Sequence, residues 1–165
     1  MKKEMLKSMI EEVLETAKMI LVKDGKLVPI SFVGKDGNIE IMPLSFRDKD
    51  EKISQLSMLK DFVKKKNADT IFVVTESWYV ETDRDHLTMA PSKDPRRREC
   101  IMIIGECEEG SVAVIQLFSR EDGKENGKIV FGKKIDDDEG TVSLKFNFGI
   151  KDRKIKYNKF VRDLN

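Results

Sequence analysis

Apolar residues at Leu6, Ile10, Val13, Leu14, Ala17 and Leu21 recur in steps of three and four, the spacing that gathers side chains on one face of a helix. The stripe predicts a helix over Lys2–Lys23 that stops at Gly25, the residue best suited to a left-handed cap. A second stripe, Ile53, Leu56, Leu59 and Val63, follows Asp48 and Glu51, which have the spacing of a capping box. Asn67 can close that helix after Lys64-Lys65-Lys66.

Elsewhere the period shortens to that of strands. Lys26–Val33 is an apolar run interrupted by Pro29, which cannot donate to a ladder, so this strand is expected at a sheet edge. Gly34-Lys35-Asp36-Gly37-Asn38 turns the chain into a strand over Ile39–Leu44. Thr70–Glu81 reads as one long strand, and Glu99–Cys107 and Val112–Arg120 flank a turn at Glu108-Glu109-Gly110. Lys128–Lys134 and Thr141–Gly149 follow, joined through Asp136-Asp137-Asp138-Glu139-Gly140. Ile101-Met102-Ile103-Ile104 is apolar at both parities, as a central strand covered on two faces must be. Val142, Leu144, Phe146 and Phe148 alternate with polar residues, the mark of a half-buried strand. Ile155, Phe160, Val161 and Leu164 are enough to dock the tail as a short helix. The order α-β-β-α-β-β-β-β-β predicts an α+β fold: one mainly antiparallel sheet with both helices packed on a face. No repeat or linker divides residues 1–165, so one domain is expected.

Composition narrows the class. At 165 residues, 39% hydrophobic and 37% charged, the chain can bury a core, and it has neither the low hydrophobicity nor the high net charge of a disordered one. Thirty-one basic residues against 30 acidic leave a net charge of +1, so no global field draws it to nucleic acid or an anionic membrane. No apolar run reaches the length of a membrane span, and Glu11, Glu12 and Glu15 are foreign to a signal peptide. Cys100 and Cys107 stand at opposite parities of one strand and should point apart. A reduced, cytoplasmic setting is therefore expected.

Candidate chemistry concentrates between Thr75 and Glu99. Alternation puts Glu76 on the face of Phe72, Val74, Trp78 and Val80, where an unpaired carboxylate would cost several kcal/mol. Glu76 is then either a residue at the frayed sheet end, reaching water or an arginine, or a carboxylate lining a pocket. If the flanking strands pair antiparallel, an arginine entering the second strand comes within reach of Glu76. Arg97 is the first choice and Arg98 the alternative. The connection Thr82–Arg97 is long for a compact domain, which makes it the expected functional surface, and Pro91-Ser92-Lys93-Asp94-Pro95 gives it strong turn chemistry.

Thr75-Glu76-Ser77-Trp78, then Pro91-Ser92-x-Asp94-Pro95-x-Arg97-x-Glu99 ahead of an apolar strand, resembles a family of small uncharacterised prokaryotic and phage proteins. Their pattern is a strand ending in Glu-x-Trp followed by Pro-Ser-x-Asp-Pro-x-Arg-x-Glu. The resemblance covers about 25 residues, implies kinship without a mechanism, and marks Glu76, Trp78, Asp94, Arg97 and Glu99 as candidate binding residues. Arg96 and Arg98 stand at positions variable in that family.

Three functions remain open. A non-enzymatic module could contact a protein partner through Trp78 and the long loop, since Trp and Arg suit interface hot spots. A divalent-metal-dependent hydrolase could use Glu76, Asp83, Asp85, His86 and Asp94, but one histidine excludes multi-His zinc sites. Arg84, Lys93, Arg96, Arg97 and Arg98 could grip phosphates weakly, although interleaved acids break any extended nucleic-acid track. The first is preferred, with no catalytic residue, metal or cofactor assigned, and a homodimer through an edge strand is a further possibility. Gly105–Ser111 lacks the lysine of a phosphate-binding loop, and Asp136–Glu139 lacks calcium-loop spacing.

Overall fold

The computed structural model of the chain describes residues 1–81, 89–137, 150 and 160–163. Helix α1 covers Lys3–Asp24 and closes on Gly25, whose φ of 72° lets its N–H reach the Leu21 carbonyl at 2.9 Å. Leu6, Ile10, Leu14, Ala17 and Leu21 form its buried face. Helix α2 covers Lys49–Lys66 and begins where the Glu51 N–H donates to Asp48 Oδ1 at 2.8 Å. The Glu51 carboxylate reaches past the cap to the Arg47 N–H at 2.9 Å, so the box is closed one residue further out. Asn67, in the left-handed region, ends it.

The strands are β1 Ile30–Lys35, β2 Asn38–Pro43, β3 Thr70–Glu81, β4 Arg98–Cys107, β5 Gly110–Arg120, β6 Ile129–Asp137 and β7 Phe160–Asp163. Among the described residues they form one sheet in the order β2-β1-β3-β4-β5-β6, with β7 added alongside β3. Every pairing is antiparallel, and the fold is the α+β arrangement that the hydrophobic pattern predicts. Each helix packs on a face, and the faces are opposite ones. Ile101 and Ile103 lie in the cluster beneath α1, Met102 and Ile104 in the cluster beneath α2, which is why that run is apolar at both parities. Cys107 joins the first cluster and Cys100 the second; both are buried, and neither is in a disulfide.

Two local expectations are corrected. β1 is not an edge strand: β2 pairs one side and β3 the other. Pro29 lies just ahead of the strand and contributes only its carbonyl, which accepts from the Leu44 N–H at 2.8 Å, so its missing donor costs no ladder bond. At the other end of the chain, Phe160–Asp163 forms a strand and not part of a helix. β1 covers only Thr70–Val74 of the long strand β3, and the exposed ladder at Trp78–Glu81 pairs β7. The predicted strand Thr141–Gly149 and the tail residues Ile155 and Leu164 lie outside the described residues, as do Thr82–Thr88 of the long connection. Among the described residues no helix is long and apolar enough to cross a membrane.

Candidate functional site

β3 outruns β1, and the site is built where it does so. Pairing sets Glu76 opposite Ile101, Trp78 opposite Glu99, and Glu99 opposite Phe118. One further same-face step along β5 reaches Arg120. Glu76, Trp78, Glu99 and Arg120 therefore share the α1 face of the sheet, just past the end of that helix.

Arg120 organises the cluster. Its Nε donates to Glu99 Oε1 at 3.0 Å and Nη2 to Glu76 Oε2 at 3.3 Å. Nη1 donates to the carbonyls of Gly25, at 2.7 Å, and Glu125, at 2.9 Å. One planar fork thus bridges two carboxylates and binds the carbonyl end of α1, where a cation is favoured. The guanidinium side chain is only 9% exposed, against 27% and 26% for Glu76 and Glu99. Glu76 also accepts from the Leu27 N–H. Burial pushes the Glu76 carboxyl above its ordinary range; the Leu27 N–H and Arg120 oppose that rise, and the Glu99 charge adds to it.

The loop supplies the outer layer. Pro91–Lys93 forms a 3-10 turn, and the Arg97 N–H donates to the Asp94 carbonyl at 3.0 Å. Asp94, 2% exposed, accepts from the Arg96 N–H at 2.8 Å and pairs with Arg96 Nη2 at 2.7 Å. That hydrogen-bonded arginine holds its carboxyl below the usual range. Arg97, bonded to the Ser92 carbonyl, lays its guanidinium over the Trp78 ring, 4.5 Å from the centroid. Trp78, Arg97, Glu99, Phe118, Arg120 and Phe131 border an open cleft of about 370 Å³. A larger depression of about 530 Å³ runs along α2 beside Ile53 and Met58, but a single helix lines it and no charged groups converge there from other elements.

Of the predicted binding residues, Glu76, Trp78, Arg97 and Glu99 come together, while Asp94 is turned into its own loop. The Glu76–Arg97 pairing is overturned, and Arg98 does not replace Arg97. Arg97 is fixed over Trp78 by its turn, and the partner of Glu76 is Arg120. A signal for it existed: a two-residue turn at Glu108-Glu109 sets Cys107 opposite Gly110. Counting back then makes Arg120 the diagonal neighbour of Glu99. Asp83, Arg84, Asp85 and His86 lie outside the described residues. Among those described, no group of three or more His, Cys, Asp or Glu side chains is placed to hold a metal.

A family model described as bacteriophage lambda protein ea47 matches residues 1–158. No curated protein and no solved structure matches the chain. A match over nearly the whole length bears out the expected kinship with phage proteins, and the chain belongs to the bacteriophage lambda protein ea47 family.

Proposed function

We propose that this chain is a non-enzymatic module that engages a protein partner through the cleft at Trp78 and Arg97. The carrying observation is the stack of an exposed arginine on a half-buried tryptophan at the mouth of that cleft. Arg97 is pre-ordered by its turn, so little side-chain entropy remains to be lost when a partner covers it. Trp and Arg are also the residue types that dominate interface energies. The layer below is occupied: Arg120 already compensates Glu76 and Glu99, which disfavours either as a free general base or as a ligand to a divalent cation. Arg96 is likewise engaged by Asp94, which weakens a phosphate-gripping role for the arginine run. The Glu-x-Trp and Pro-Ser-x-Asp-Pro-x-Arg-x-Glu segments would then be a recognition element common to the family, and two buried cysteines that form no disulfide suit a cytoplasmic setting.

A photo-crosslinking residue at Val130, which lines the cleft and is 45% exposed, tests this in bacterial cells. A discrete adduct with another protein should form and should be lost in Trp78→Ala and Arg97→Ala. The same probe at Ile53 on α2 should be indifferent to both changes. An adduct that survives both substitutions refutes the reading, as does a divalent-dependent hydrolysis abolished by Glu76→Gln.

A further inference from the structure

Among the described residues the two outer strands of the sheet, β2 and β6, are guarded differently. β6 carries Lys133, Lys134 and Asp136, the charges that discourage a strand edge from pairing with another chain. β2 carries Ile39 and Ile41 on its α1 face, 37% and 62% exposed, and one charge, Glu40, already paired with Lys66 Nζ at 2.7 Å. Among the described residues no strand pairs its outer side.

The hairpin fixes which backbone groups point outward. Asp36 and Gly37 have φ of 50° and 82°, the two left-handed residues of a type I′ turn, and Lys35 lies opposite Asn38. In such a hairpin the pair flanking the turn exchanges both hydrogen bonds, and every second pair does so after it. Val33–Glu40 and Ser31–Met42 are therefore the bonded pairs. The N–H and C=O groups of Ile39 and Ile41 face away from β1, as does the carbonyl of Pro43. Proline thus occupies an outward position, where its missing donor disturbs nothing in the chain's own ladder.

We infer that β2 pairs with β2 of a second copy, antiparallel about a two-fold axis through Ile41, joining the two sheets. In this register Ile41 faces Ile41 of the second copy, and each N–H meets the opposite carbonyl. Ile39 faces Pro43 of the second copy, so the Ile39 N–H meets the one group that proline still offers. All four outward N–H groups at the axis are satisfied, and only the Ile39 carbonyl, opposite a Pro43 that has no N–H, is left to water. Moving the axis to Glu40 would oppose two carboxylates, and moving it to Ile39 would set Ile41 against the turn. Centred on Ile41, each Glu40 lies opposite Met42 of the second copy and keeps its own Lys66. The surface is separate from the Trp78 cleft and independent of it.

Sedimentation of the full chain over a range of concentrations should show reversible dimerisation. Ile41→Pro removes two of the four intermolecular N–H···O bonds while leaving the β1 ladder intact, and should weaken association about thirtyfold. Unchanged secondary structure by circular dichroism would confirm that the variant folds. Ile41→Cys places two thiols at the axis with Cα atoms about 5.5 Å apart, within disulfide range, and should cross-link on mild oxidation. Glu40→Cys, opposite Met42, should not. A monomer at every concentration with no Ile41→Cys cross-link overturns the inference and leaves the edge to a foreign strand. A dimer indifferent to Ile41→Pro overturns it in favour of another face.

Discussion

Replacing Arg120 by Met tests the site from below. The substitution keeps most of the aliphatic length but withdraws the charge from two carboxylates and two carbonyls at once. Removing one partner of a buried ion pair costs about 3–5 kcal/mol, and exposed pairs contribute under about 1. Arg120 is nearly buried, but Glu76 and Glu99 each keep about a quarter of their exposure, so water relieves part of the loss. The lower end, about 3 kcal/mol, is expected, which for a chain of this size lowers Tm by about 6–12 °C. Trp78 is the single tryptophan and lies within the same cluster, so urea unfolding followed by its fluorescence reads the site directly.

The pH dependence identifies the cause. Glu76 has a folded-state pKa raised above its ordinary 4.5, chiefly by burial. For a raised acid the stabilising contribution is complete below the unfolded value and is lost as pH rises through the folded one. Without Arg120 an opposing influence is gone, so Glu76 rises further and its ionised form is penalised more at pH 7 than at pH 4. Arg120→Met should therefore be more destabilising at pH 7. Adding Glu76→Gln should recover part of the loss, a coupling that separates charge from packing. A cost below about 1 kcal/mol, equal at both pH values and unmoved by Glu76→Gln, would refute this account of the cluster.

Three smaller predictions follow from other elements. Arg97→Ala should shift Trp78 emission to the red as the ring loses its cover, while changing stability by less than about 1 kcal/mol in urea. Gly105→Ala would bring a Cβ within 2.9 Å of Ile10 Cδ1 and 3.1 Å of Leu6 Cδ1. The buried Ile10 and Leu6 side-chain ends must then give way, at about 1–3 kcal/mol measured by the urea midpoint. Arg47 holds Glu51 down to about 2, so this group stabilises the fold above 4.5 and loses its contribution as pH falls through about 2. Glu51→Gln should flatten the acid limb of a Tm-versus-pH series.

What could be read from the sequence depended on whether the signal was local. The α1 stripe, the Asp48 and Asn67 caps and the two-sided run at Ile101–Ile104 state their environments through spacing alone, and each is found as spaced. Pro29 misled because its effect depends on which residue begins the strand: one step outside β1, its missing N–H has no consequence. The tail misled for a different reason. Four residues have no resolvable period, and the opening that β7 fills belongs to β3, some eighty positions earlier.

The site divides along the same line. Glu76 announced itself as a carboxylate on an apolar face, which demands a cation somewhere near, but that demand does not say which arginine answers. Proximity in sequence favoured Arg97, because the loop returns it towards the end of β3. The loop's own hydrogen bonds, from the Arg97 N–H to Asp94 and from its guanidinium to Ser92, fix that side chain over Trp78 instead. Arg120 answers from two strands away, and Glu99 on the intervening strand makes this possible by accepting the same guanidinium through its Nε. Glu99 and Arg120 are linked by a hairpin register that can be counted from the Glu108-Glu109 turn. Glu76 and Arg120 are linked only once β3 is known to lie beside β4. A local register, extended by one non-local strand pairing, is thus the least information that identifies the buried half of the site, while the stack that covers it needs that same β3–β4 pairing together with the turn that fixes Arg97.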